Sequence, residues 1–263
     1  MQRCTFFLCI LLFSCNDNLL TDSVNGKICS DTLKTTFNIR PDRSSGLEYV
    51  VACKAQDTIN LTQNYNKLRA KIQAYRNEVS LNDSISEKDI KETGEYLYNN
   101  LLNGIIPYWY GTPWNFDGYS DVPNKGTIAC GYFVSTTLKH LGFNLNRFKI
   151  AQKYSLEIVE LLCGKENVKS WSVQQFNEMS DYLKSNGDDV YIVGLSCHVG
   201  FLSIENDSLF FIHSSYINPL CVVKEYAELS PALLQSEVFV TGALFTNRNL
   251  INKWLRNEYI ACE

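Results

Sequence analysis

The run Ser196-Cys197-His198-Val199-Gly200-Phe201-Leu202, followed by Glu205-Asn206-Asp207-Ser208 and then by Leu209-Phe210-Phe211-Ile212-His213, carries the pattern that decides the fold. Two stretches rich in Val, Ile, Leu and Phe flank a cluster of turn residues, which is the signature of an antiparallel hairpin. One histidine stands near the start of the first arm and another at the end of the second. Successive residues of a strand face opposite sides, so loop length fixes whether the two rings share a side. A two-residue loop of Glu205 and Asn206 sets His198 opposite His213. A four-residue loop from Glu205 to Ser208 sets His213 opposite Gly200 and diagonal to His198, on the same side. A three-residue loop without a bulge separates them.

Outward from the hairpin, Val190 to Leu195, Cys221 to Lys224 and Val238 to Phe245 have the same composition, so the C-terminal part of the chain is expected to be strands. The preceding part has helical spacing. Asn64 to Val79 places Leu68, Ile72 and Tyr75 on one side, and Glu87 to Leu102 has Ser86 as a plausible N-cap and Gly104 at its end. Further helices are expected over Ala151 to Leu162 and Val173 to Ser185. Helices first and strands last predict an α+β fold on an antiparallel sheet.

Between these halves lies Ala129-Cys130-Gly131-Tyr132-Phe133-Val134. Phe133, Val134, Thr137, Leu138 and Leu141 recur at helical spacing, and Gly142 follows as a C-cap, so Cys130 opens a helix. A sulfur there faces unpaired backbone N–H groups at the positive end of the helix dipole, which favours the thiolate. His140 would stand at the far end, roughly 15 Å away, and is read as a cation in the last turn. The base must then come from His198 and His213, since the chain has 3 histidines. On one face of a hairpin these two make a base and an orienting partner, which is the logic of a thiol nucleophile. A metal site built from Cys130, Cys197, His198 and His213 is disfavoured because adjacent strand residues point to opposite faces.

From Pro107 to Lys125 the prolines and glycines exclude one regular element, and the aromatics among them predict an ordered loop walling a cleft, with Trp109, Trp114 and Phe116 foremost. The N-terminus differs in kind. One basic residue, Arg3, precedes an apolar stretch from Cys4 to Phe13 that is too short to span a bilayer and fits a signal peptide. Residues 1–14 are therefore expected to be a leader, 15–45 a polar tether and 46–263 the folded domain. A net charge of −4 without a basic tract argues against a nucleic-acid partner. No spacing among the 10 cysteines suggests a structural metal or a disulfide framework, and no metal or cofactor is expected.

The ordered set Cys130-Gly131-Tyr132-Phe133-Val134, His198-Val199-Gly200 and Phe211-Ile212-His213 resembles the NlpC/P60 cysteine peptidases of bacterial cell-wall metabolism, over about residues 107–245. That resemblance implies a papain-like fold with the nucleophile helix packed on the antiparallel sheet, and a Cys130-His198-His213 triad. Pro107-Tyr108-Trp109-Tyr110-Gly111 is similar to the family's Pro-Tyr-x-x-Gly, which carries over to Tyr108 a place beside the oxyanion. Leu12-Phe13-Ser14-Cys15 resembles a lipobox, implying lipidation of Cys15, membrane attachment through that lipid and a place in the cell envelope, periplasmic or on the outer-membrane surface. The expected activity is hydrolysis of a peptide or amide bond, the peptidoglycan stem peptide being one such substrate. Acyl transfer on the same triad, or a non-catalytic binding lipoprotein, are the alternatives. Ala129 and Gly131 stand where the family has Asp and Ser, residues that help it recognise the stem peptide.

Overall fold

The computed structural model describes residues 49–50, 58–81 and 84–262. The expected leader, the Cys15 expected to carry lipid and the expected tether lie outside the described residues. After a two-residue strand β1 (Tyr49–Val50) come helices α1 (Thr58–Val79) and α2 (Glu87–Asn100). Ser86 caps α2 as expected, in a reciprocal capping box with Asp89. Gly104 does not end that helix. The chain continues through one π-turn (Leu101–Ile105) into the single turn α3 (Ile106–Trp109), with Pro107 in its first turn, where a missing N–H costs nothing. Gly104 instead lets α1 come close: a Cβ there would lie 3.1 Å from Leu68 Cδ2.

Helices α4 (Cys130–His140), α5 (Arg147–Ala151) and α6 (Ser155–Cys163) follow, so the helix expected over Ala151 to Leu162 starts at Ser155, and the short α5 before it was not expected. Next come an edge strand β2 (Val168–Ser172), helix α7 (Phe176–Ser185), strands β3 (Val190–Leu195), β4 (Val199–Glu205), β5 (Ser208–Ser214) and β6 (Val222–Tyr226), the turn α8 (Pro231–Leu234) and β7 (Val238–Ala243). The chain then turns into α9 (Arg248–Leu255), where the strand-rich reading had placed no helix. Its signal was present: Asn247 caps it, and Leu250, Ile251, Trp254 and Leu255 form one apolar face that is buried.

The strands described form one antiparallel sheet in the order β1-β6-β5-β4-β3-β7-β2. The architecture is α+β. One face carries Ile192, Val199, Phe201, Ile212 and Val240 against α4, α6 and the N-terminal helices; the other carries Val193, Leu202, Phe211 and Phe239 against α7 and α8. Burial on both faces explains why β3 reads as a continuous apolar run instead of an alternating one. Helix α4 lies on the first face, with Phe133 edge-on to Phe201 at 5.9 Å.

Candidate active site

Hairpin register is the first determinant of the site. Glu205 pairs with Ser208 around Asn206 and Asp207, both in the left-handed region that Asn and Asp tolerate, and Phe201 pairs with Ile212. The pairing that places His213 beside Gly200 and diagonal to His198 is therefore the one adopted. The two rings meet directly, His198 Nε2 to His213 Nδ1 at 2.8 Å. Gly200 makes room for this. A Cβ at that position would sit 2.6 Å from Phe211 Cε2, 2.8 Å from the Ile212 carbonyl oxygen and 2.9 Å from His213 Cβ. Gly200→Ala is therefore expected to cost about 1–3 kcal/mol, measured by chemical denaturation, and to slow alkylation of Cys130 by displacing His213.

Strand β6 adds a group that the sequence did not announce. Phe211 pairs with Glu225 and His213 with Val223, so Glu225 lies diagonal to His213 on the same face. Its Oε1 accepts from His213 Nε2–H at 3.1 Å, and the carboxylate is 3% exposed. This bond fixes protons along the row. With Nε2 of His213 donating to the carboxylate, a neutral His213 offers Nδ1 as an acceptor. His198 must then donate from Nε2, which leaves the lone pair of His198 on Nδ1. Phe211 stacks on His213 at 4.1 Å and holds its plane.

Cys130 opens α4 as expected, after Ala129 in extended conformation, and packs with the Phe201 face of the sheet, whereas Phe211, which stacks on His213, packs on the other. Cys130 and His198 line one cavity of about 700 Å³. Among the described residues no direct hydrogen bond joins them, an arrangement common in free enzymes that tightens when substrate binds. The N–H groups of Val199, Gly131 and Cys130 reach the sulfur and lower its pKa, but burial is the larger effect and pushes the thiol above its ordinary value. The expectation of a preformed thiolate is thus corrected: desolvation at this helix start outweighs the dipole. Burial, followed by the neighbouring His213, holds His198 well below the usual imidazole range. His213 is also lowered by burial, with Glu225 opposing.

The aromatic loop is ordered, pinned by Trp114 N–H to the Leu220 carbonyl, Ile128 N–H to Pro113 and Ala129 N–H to Gly118. Trp114 and Phe116 line the cavity as expected, and Tyr132 and Tyr216, which sequence reasoning did not single out, join them. Tyr216 lies over His198 with ring centres 5.0 Å apart, and its hydroxyl hydrogen-bonds Cys197.

Two expected cleft residues lie elsewhere. Trp109 is fully buried in the core, its Nε1–H donating to Tyr65 Oη at 2.8 Å. Tyr108 packs on Tyr65 at 5.0 Å and lines a different cavity, with Arg69 and Asp121. The single turn α3 rotates both residues away from Cys130. Tyr108 therefore does not line the cavity that Cys130 and His198 share. Gly131 has a steric reason: a Cβ there would lie 2.5 Å from the Ala151 carbonyl oxygen, so the close approach of α5 excludes a side chain at this position.

His140 is likewise not a cation. It is buried, its Nδ1 accepts from Tyr65 at 2.9 Å and its Nε2–H donates to Asp121 at 3.2 Å. Burial, with Arg69 nearby, pushes its pKa down to about 4. All three histidines are therefore lowered in the folded chain, while in the unfolded chain they titrate near about 6.5. Above that pH neither state is protonated and their contribution to stability is complete. As pH falls, the unfolded state takes up protons first and stability is lost, for His140 over the window from about 6.5 to about 4 and by about 3 kcal/mol. Denaturant midpoints measured from pH 7.5 to 4.5 should decline accordingly. A midpoint that stays level would contradict neutral burial of these rings.

No family model, curated protein or solved structure matches the chain. Among the described residues no three of His, Cys, Asp and Glu converge as a metal site, and no helix is long and apolar enough to cross a membrane.

Proposed function

We propose that the chain is a cysteine hydrolase of papain-like, NlpC/P60 type that cleaves an amide or peptide bond. The observation that carries this is the hydrogen-bonded row from His198 through His213 to Glu225, ending in the cavity that Cys130 lines. An imidazole pair anchored on a carboxylate supports this reading because it presents a lone pair of fixed position on the side of His198 away from His213.

In this reading the Cys130 proton passes to His198 Nδ1 as the sulfur forms its bond to the substrate carbonyl carbon. A neutral base and a neutral thiol suit transfer in concert with attack. The positive charge that builds on His198 is offset through His213 by Glu225. Backbone N–H groups of Cys130, Gly131 and Val199 are placed to donate to the carbonyl oxygen as it becomes negative. Collapse of the adduct breaks the C–N bond, His198 returns its proton to the leaving amine, and water, deprotonated by the same nitrogen, releases the acid from the thioester. His213 is a positioning residue and Glu225 anchors it.

Export with a lipid on Cys15 belongs to the same reading, supported by the residues at 1–15 alone. The decisive experiment is intact-mass analysis after mixing the protein with an aryl ester. An acyl adduct on Cys130 that turns over to free acid is expected, and Cys130→Ala should lower turnover by about three orders of magnitude or more. Equal turnover by Cys130→Ala would refute the proposal, and product appearing only on added amine would make the chain an acyltransferase.

A further inference from the structure

The walls of the cavity around Cys130 bear on what it admits. Trp114, Phe116, Tyr132 and Tyr216 form its sides, and the small residues Ala129, Gly131 and Ala151 leave space between them. Phe116 is 80% exposed at its rim. One carboxylate, Asp117, lines the same cavity, and among the described residues no Lys or Arg does. Cations are present in other cavities of similar size: Arg69 and Lys125 line the one beside Tyr108, and Lys169 and Arg248 the one at the β2 edge. Arg147 is engaged by Thr136, Tyr119, Ser120 and Asp121, and Lys153, which follows the cavity-lining Gln152, pairs with Glu157.

An anionic substrate would lose water among these rings without gaining a cationic partner, and it would meet the field of Asp117. An aromatic or large apolar group would displace water from rings that favour it, and a positive charge would gain both Asp117 and the faces of Trp114 and Tyr216. Resting on the reading of Cys130 as nucleophile, we propose that the cleft takes amides bearing an aromatic group and a neutral or positive charge, and disfavours acidic peptides.

The test uses three N-benzyl chloroacetamides that share one electrophile and one size and differ in a para substituent: aminomethyl, hydrogen or carboxylate. Alkylation of Cys130 by each is followed by intact mass, beside iodoacetamide as a probe of the nucleophile alone. The aminomethyl and unsubstituted compounds should react about 10-fold faster or more than the carboxylate, and Asp117→Lys should narrow or reverse the gap. Equal rates across the three, with iodoacetamide labelling still dependent on His198, would overturn this inference and leave the nucleophile standing. Loss of that dependence would remove the nucleophile, and this inference with it.

Discussion

Alanine in place of His198 is expected to lower the rate at which iodoacetamide alkylates Cys130 at pH 7 by about 10²–10⁴-fold, if His198 is the base of the proposed reaction. The magnitude follows from the resting state of the site. Burial holds the Cys130 thiol above its ordinary value, so few molecules carry a thiolate at neutral pH, and the hydrogen bonds from Val199, Gly131 and Cys130 do not reverse this. Reactivity must come from a base that removes the proton during attack. His198 is the only imidazole lining the cavity, and its own pKa is low enough to keep it unprotonated at pH 7. Second-order rate constants followed by mass spectrometry give the comparison, with circular dichroism to show that the variant is folded.

Glu225→Ala is expected to produce the second-largest effect, and one that divides into two parts. Removing the carboxylate leaves the Nε2–H of a fully buried His213 without its acceptor, which costs about 1–3 kcal/mol of stability. It also frees both imidazoles to exchange tautomers, so a fraction of His198 would present N–H instead of a lone pair on Nδ1. Alkylation at pH 7 should fall about 10-fold or more. Glu225→Gln separates the parts. Its amide oxygen can still accept from His213, so the tautomers and most of the reactivity should return. A role confined to filling space would instead give Glu225→Gln the same alkylation rate as Glu225→Ala.

The portion of this site that was legible in the sequence is the portion set by local rules. Cys130 at a helix start follows from the spacing of Phe133, Val134 and Leu138, whereas strand parity left the shared face of His198 and His213 dependent on loop length, which the turn at Asn206 and Asp207 decides. Glu225 was hidden because its partner is fixed by the register of β6 on β5, and the connection between those strands is not a tight turn whose length sets the pairing. A carboxylate between Lys224 and Tyr226 in a half-apolar strand was the one available sign. Trp109 and Tyr108 were misplaced for a related reason. Pro107 was read as breaking regular structure, whereas it begins a single helical turn that reverses which aromatics face the core. The edge strand β2, with Lys169 and Ser170 exposed, offers no alternation to detect.

The measurement that tests the account most directly is the pH dependence of Cys130 alkylation by iodoacetamide in the wild-type chain, taken beside His198→Ala. The account predicts a rate that climbs on an acid limb below pH 6.5, where the depressed His198 loses its proton, and then holds level through neutral pH. His198→Ala should lack that limb and rise only as the thiol itself ionises in alkaline solution. A wild-type profile that coincides with the variant, rising only at alkaline pH, would contradict it.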